Sequence, residues 1–161
     1  MSFIKNKYTF NLILIFCIFA LIVAYFIQYV LGHQPCNLCL IERIPYFAAV
    51  IFISLIFFLN KYEKIISFIV GLFFIFGAIV SFYHVGIEQG IFNESLVCDL
   101  TGKKNSLSAQ ELLKELESKT ISCKDITFSF FGLSLATLNT LISLILSAIM
   151  FKIFKNYEKN K

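Results

Sequence analysis

Residues 8–31, YTFNLILIFCIFALIVAYFIQYVL, contain no Asp, Glu, Lys, Arg or His. A bilayer core of about 30 Å takes roughly 20 apolar residues in one helical crossing, so this stretch alone can span. Three more candidates follow it. Ile65–Ile87 spans with one histidine near its end, and Phe128–Phe151 spans without a charge. Ile44–Leu59 is uncharged but short, so its crossing borrows residues upstream and runs over about 40–59. Backbone groups in lipid must pair within their own segment, which makes these spans helices. None shows the strict alternation of a barrel strand. Lys5 and Lys7 before the first apolar run imitate a signal peptide, but the run is too long and has no small-residue cleavage site.

Composition agrees with the spans. The chain of 161 residues is 58% hydrophobic and 15% charged, against about 45–50% and about 25% in ordinary soluble domains. Twenty Phe exclude a disordered chain. A net charge of +4, scattered along the sequence, does not suggest a nucleic-acid partner. The fold expected is an all-α membrane protein: one domain, a four-transmembrane-helix bundle with spans at about 8–31, 40–59, 65–87 and 128–151. A short loop (about 32–39) and a long loop (about 88–127) lie on one side. No clear small-residue seam is evident in the spans.

Charge sets the orientation. With both termini cytoplasmic, the inside segments carry eight lysines against Glu63 and Glu158, or +6. The long loop carries five lysines against seven carboxylates, or −2. This asymmetry follows the positive-inside rule. Within the long loop, Ser108-Ala109-Gln110-Glu111 reads as a capping box opening a short helix that ends near Lys119.

Four of the five cysteines then share the outer side. Cys17, inside the first span, reads as a small hydrophobe. Cys98 and Cys123 flank the ordered part of the long loop and, taken alone, are compatible with a bridge that simply closes it. Cys36 and Cys39 form Cys-Asn-Leu-Cys at the head of the second span. A bridge over two residues closes almost no loop and gains little loop entropy, so structural stapling explains it poorly. Redox chemistry explains it better, because an attacking thiolate and its resolving partner stand within reach. A zinc site built from the two pairs is a third option; the wide spacing of Cys98 and Cys123, with no histidine beside them, disfavours it.

Neighbouring residues sharpen the redox reading. Cys39 lies near a helix N-terminus, which favours an anion. Arg43 follows four residues later and would share its face if the turn is helical. The alternative for Arg43 is a snorkelling anchor paired with Glu42. Pro45 suits a first helical turn, so the regular helix is expected to begin near Ile44, with the cysteines in a turn above it. His84 approaches from the third span at the depth of Arg43, where it can donate to a bound carbonyl or to backbone. His33 reads as solvated.

Pro35-Cys36-Asn37-Leu38-Cys39-Leu40-Ile41-Glu42-Arg43, then Tyr83-His84, Cys98-Asp99, Cys123 and Phe130-Phe131-Gly132-Leu133-Ser134, closely resemble the disulfide bond formation protein B (DsbB) family, including its DsbI-type relatives. The resemblance covers nearly the whole chain, in order and in topology. It implies a bacterial inner-membrane oxidoreductase that reoxidises a periplasmic, DsbA-like thioredoxin-fold dithiol oxidase and passes the electrons to the membrane quinone pool. By that resemblance Cys98–Cys123 is the disulfide attacked by the partner, at Cys98, and exchange between Cys123 and Cys36 follows. Cys39 would face the quinone, ubiquinone or menaquinone, with Arg43 binding the ring and His84 nearby. No metal is expected. Phe128 stands where the family often has tryptophan.

Two other readings compete. A vitamin K epoxide reductase-like protein would carry its quinone-facing Cys-x-x-Cys on the last helix, which this chain does not. A disulfide-stapled tetraspan without catalysis leaves the Cys-x-x-Cys beside Arg43 without a purpose.

Overall fold

A computed structural model describes residues 2–58, 62–93, 98, 123, 129–130 and 133–159. The capping box at Ser108 and the position of Phe128 lie outside them. Four helices among the described residues are long and apolar enough to cross a membrane, the second of them with an interruption.

Helix α1 (Ser2–Tyr29) ends where Gly32 takes φ of 72°, and the amide of His33 turns back to the carbonyl of Ile27. The second crossing is in two pieces. Helix α2 (Asn37–Ile41) is a single short turn-and-a-half, and α3 (Ile44–Phe58) is the regular helix. The break at Glu42 and Arg43 follows from Pro45, which has no amide to give and so is accepted only in a first helical turn. The carbonyl of Arg43 receives the amides of Tyr46 and Phe47, which starts the new helix. The cysteines therefore sit on a short helix above the break, where a turn was expected.

Helix α4 (Glu63–Glu88) stops in a Schellman arrangement. Gly90, at φ of 72°, gives its amide to Ile87, while Ile91 gives its amide to Gly86; the left-handed conformation is one glycine adopts without penalty. The returning chain lays the Phe92 ring against Gly86, where an added Cβ would collide with it. Strands β1 (Ser129–Phe130) and β2 (Leu133–Ser134) pair antiparallel, Ser129 opposite Ser134 and Phe130 opposite Leu133. Helix α5 (Leu135–Lys159) follows. Its start at Leu135 corrects the expected one at Phe128. Ser134 Oγ accepts the amide of Thr137 at 3.2 Å and so caps the helix; the described residues before it, Ser129–Phe130 and Leu133–Ser134, are strand.

Helix α4 is the centre of the bundle, packed on α3 and α5, while α1 packs on α3. Cys17, Ile53, Phe74 and Met150 bring one buried side chain from each long helix to a common core. Leu12, Phe19, Ile79 and Leu144 point outward instead, as side chains do when lipid is the solvent. Apolar burial cannot drive helices together in lipid, so close packing and polar contacts must hold them. Small residues provide that on α4: Ser67, Gly71, Gly77 and Ser81 are all buried. A Cβ on Gly77 would come within 2.8 Å of Pro45 Cγ, and Ser67 Oγ donates to the carbonyl of Met150 at 2.8 Å. The seam not evident in the sequence is thus present, and it serves helices of the same chain.

Candidate functional site

The site begins with the N-terminus of α2. Cys36 is its capping residue, and its sulfur accepts the amide of Cys39 at 3.4 Å. The two sulfurs lie 3.0 Å apart as a dithiol. The position that stabilises an anion is therefore that of Cys36, one turn earlier than the sequence suggested for Cys39. The hydrogen bond with the Cys39 thiol pulls the Cys36 thiol down to about 4, against the effect of burial, and the His84 ring adds to the lowering.

His84 reaches this pair from α4. Its Nε2 is 3.6 Å from Cys36 Sγ, and its Nδ1 is 2.7 Å from Glu42 Oε1. Glu88, one turn on, brings Oε1 to 3.9 Å from Nε2. Glu42 is buried, and its second oxygen accepts from Asn139 Nδ2 at 2.9 Å. That amide nitrogen also donates to Ser81 Oγ at 2.6 Å, while Asn139 Oδ1 accepts from the Tyr46 hydroxyl at 2.5 Å. The chain of contacts thus joins the α2–α3 break, α3, α4 and α5. An isolated buried carboxylate is costly, and partners on both oxygens offset that cost.

Arg43 turns the other way. Its Nη1 donates to Gln28 Oε1 of α1 at 2.6 Å, and its guanidinium lies 5.1 Å from the centre of the Tyr25 ring. No pairing with Glu42 is seen: the break sends the two neighbouring side chains in opposite directions. Arg43 and Cys39 nevertheless share a cavity of about 470 Å³. Its walls are apolar side chains of α1 and α5, among them Ala20, Ala24, Ile27, Leu138 and Ile142. Gln28, Glu42 and Asn139 contribute its few polar edges, and the exposed His33 stands at it too.

Cys98 and Cys123 form a disulfide. It is buried in one cluster with Cys36, Leu38 and Ile87, against which Cys39 and Tyr83 pack. Cys36, Cys39, Cys98 and Cys123 thus lie together at one end of the bundle. Cys17 lies apart, fully buried in the core. The expected residues Cys36, Cys39 and His84 meet directly, Arg43 and Cys39 line one cavity, and Cys98 and Cys123 share a buried cluster with Cys36. Glu42, Asn139, Tyr46, Ser81 and Gln28 were not singled out from sequence. Two signals were available: a carboxylate at membrane depth, and an amide side chain one turn into an apolar span.

A bundle of four spans with a dithiol beside a buried disulfide defines a membrane thiol oxidoreductase. The family model for the disulfide bond formation protein DsbB matches residues 6–153. The chain belongs to the DsbB family, and its role is thiol oxidation in disulfide formation. An uncharacterized protein of Rickettsia prowazekii (strain Madrid E) is 35% identical over 150 residues, covering 88% of this chain and 85% of its own length. No solved structure is detectably similar.

Proposed function

We propose that the protein is a bacterial inner-membrane thiol–quinone oxidoreductase that reoxidises a periplasmic, DsbA-like thioredoxin-fold partner. Both termini are cytoplasmic in this reading, and the cysteine-bearing end faces the periplasm, as the +6 and −2 division of charge supports. One observation carries the proposal: Cys39 borders the apolar cavity while Cys36 shares a buried cluster with the Cys98–Cys123 disulfide.

The cavity fits a quinone ring and the start of its tail. Pockets for such ligands are largely apolar with a few placed polar groups, and here the guanidinium of Arg43 and the Cys39 thiol share one apolar chamber. A bound quinone supplies a two-electron, two-proton acceptor. The chain's own residues do the rest. A thiolate of the reduced partner attacks Cys98, the Cys98–Cys123 bond breaks, and Cys123 leaves as thiolate. The partner's second thiol then resolves the mixed disulfide, leaving the partner oxidised and Cys98 and Cys123 reduced. In the oxidised form of the second pair, Cys123 attacks Cys36 and releases Cys39 into the cavity. Cys98 then attacks Cys123, which restores the first disulfide and leaves Cys36 and Cys39 as the dithiol. That pair, Cys36 as thiolate and Cys39 as thiol, loses two electrons and one proton toward the cavity as its own bridge re-forms, and the second proton comes from solvent or from the His84 ring beside Cys36.

The low-lying thiolate of Cys36 suits both halves of this cycle, since a stable thiolate is a good leaving group and is already deprotonated for attack. Arg43 holds the ring side of the cavity by charge and hydrogen bonding. His84, with Nδ1 held by Glu42, keeps its Nε2 toward Cys36 and can hold a proton there. The test is quinone reduction by purified protein mixed with a reduced thioredoxin-fold oxidase. Reduction should be stoichiometric with partner oxidation; reduction that survives Cys36→Ser or Cys39→Ser refutes the scheme.

A further inference from the structure

The geometry points to a second use of the reduced pair: we propose that Cys36, Cys39 and His84 form a site for a soft divalent cation such as Zn²⁺. Their ligand atoms all lie within 4.8 Å of one another. The sequence suggested a zinc site only from the two cysteine pairs together, and disfavoured it; the structure assembles a different set, with a histidine from α4 in place of the distant pair. This departs from the expectation of no metal.

The distances suit zinc coordination with little movement. Zinc takes thiolates at about 2.3 Å and imidazole at about 2.0–2.1 Å, so tetrahedral angles put sulfur and nitrogen about 3.6 Å apart. Cys36 Sγ and His84 Nε2 are 3.6 Å apart. Two sulfurs on the same ion stand about 3.8 Å apart, whereas here they are 3.0 Å apart, so a small rotation of one thiol opens the site. The ring is already oriented: Nδ1 is held by Glu42 Oε1 at 2.7 Å, the carboxylate–histidine arrangement that fixes the tautomer of metal ligands. Two thiolates and one imidazole leave one position open. Cys39 borders the cavity, which gives that position access, and Glu88 Oε1 lies 3.9 Å from the ligating nitrogen.

Binding moves no electrons. The Cys39 thiol gives up its proton to solvent, the ion takes it together with the thiolate of Cys36, and the pair cannot bridge until the ion leaves. The cation is thus an inhibitor selective for the reduced form, competing with the reoxidation step. This role rests on the proposed cycle, because only an enzyme that visits the dithiol exposes the site; the binding itself does not.

The experiment separates the two. The full chain, reduced with a phosphine in detergent, is titrated with Co²⁺ as a spectroscopic stand-in for zinc, and quinone reduction is measured separately with and without Zn²⁺. One equivalent should bind with the visible bands of a tetrahedral sulfur-ligated ion, and remain in Cys98→Ser/Cys123→Ser. Those bands should vanish in Cys36→Ser and Cys39→Ser. Affinity should fall about ten- to hundredfold in Glu42→Gln, the usual loss when a partner behind a ligand is removed, and further in His84→Ala. Zinc should slow turnover reversibly, with activity returning on chelation. Absence of the bands, full affinity in His84→Ala, or binding that requires Cys98 and Cys123 overturns the site. If the bands form but no quinone is reduced, the cycle fails and the site stands; if quinone is reduced without them, the site alone fails.

Discussion

The two cysteine pairs lie in one cluster but are built differently. Cys98 and Cys123 are separated by 25 positions and bridged. Cys36 and Cys39 belong to one turn of chain, stand as thiols, and have a histidine, a capped helix end and a cavity around them. The long-range bridge ties chain segments and takes its surroundings from packing. The local pair takes its surroundings from chemistry: a hydrogen bond between sulfurs, an imidazole oriented by a buried carboxylate, and a guanidinium across an apolar chamber. In the proposed cycle the bridge acts as a docking relay and needs little preparation, whereas the local pair, which would hand electrons to a lipid-soluble acceptor, has charge, proton and acceptor positions built around it.

The largest effect should come from breaking the local pair. Cys39→Ser should take quinone reduction to background while leaving the Cys98–Cys123 bridge intact, as thiol labelling under non-reducing conditions would show. Activity retained above background would erase the distinction between the pairs.

Glu42→Gln should come next. It removes a charged acceptor from His84 while keeping the shape and the contact with Asn139. Hydrogen bonds to charged groups contribute about 1.5–3 kcal/mol, so turnover should fall about ten- to hundredfold, and by less if His84 does not act on Cys36. Arg43→Gln should raise the KM for quinone about tenfold, with a smaller change in the rate at saturation; a pure loss of kcat would place Arg43 in the thiol exchange instead.

The acidity of Cys36 provides a subtler test. With its thiol lowered to about 4, Cys36 remains a thiolate as pH falls from the ordinary thiol range near 8.5, and protonates only as pH drops through about 4. Its alkylation by a small uncharged reagent, measured in a Cys17→Ala background with the other bridge intact, should therefore stay nearly constant from pH 8 down to about 5. Cys39→Ala, which removes the donor, should restore a rise with pH toward the usual range. The smallest effect expected is on stability: Gly77→Val forces a side chain into Pro45 and should cost about 1–3 kcal/mol by thermal unfolding in detergent, with the order of the pairs unchanged.

Much of this was legible beforehand because membrane spans and short-range motifs are local. The apolar run at residues 8–31 can only be a helix in lipid, and Cys36 and Cys39 declare their pairing by spacing. Glu42 was not legible, since a residue beside Arg43 invites a neighbouring ion pair. Only the break before Pro45 sends it inward to His84 and Asn139, partners 42 and 97 positions away. The late start of α5 was hidden for a similar reason: the hydropathy around Phe130 suits a span, and only the cap by Ser134 shows where helix begins. The cavity is invisible to sequence altogether, being what helices α1 and α5 leave between them.

In the proposed cycle electrons pass from the long-range pair to the local pair and only then to the cavity. The most direct test mixes fully oxidised protein with less than one equivalent of reduced thioredoxin-fold oxidase, quenches in acid, and maps free thiols by labelling and mass spectrometry. In the native chain thiols should appear without quinone and disappear, one quinone reduced per pair, when it is present. In Cys36→Ser they should remain on Cys98 and Cys123 with the quinone untouched. Quinone-dependent loss of those two thiols in Cys36→Ser would mean that electrons reach the quinone without the local pair.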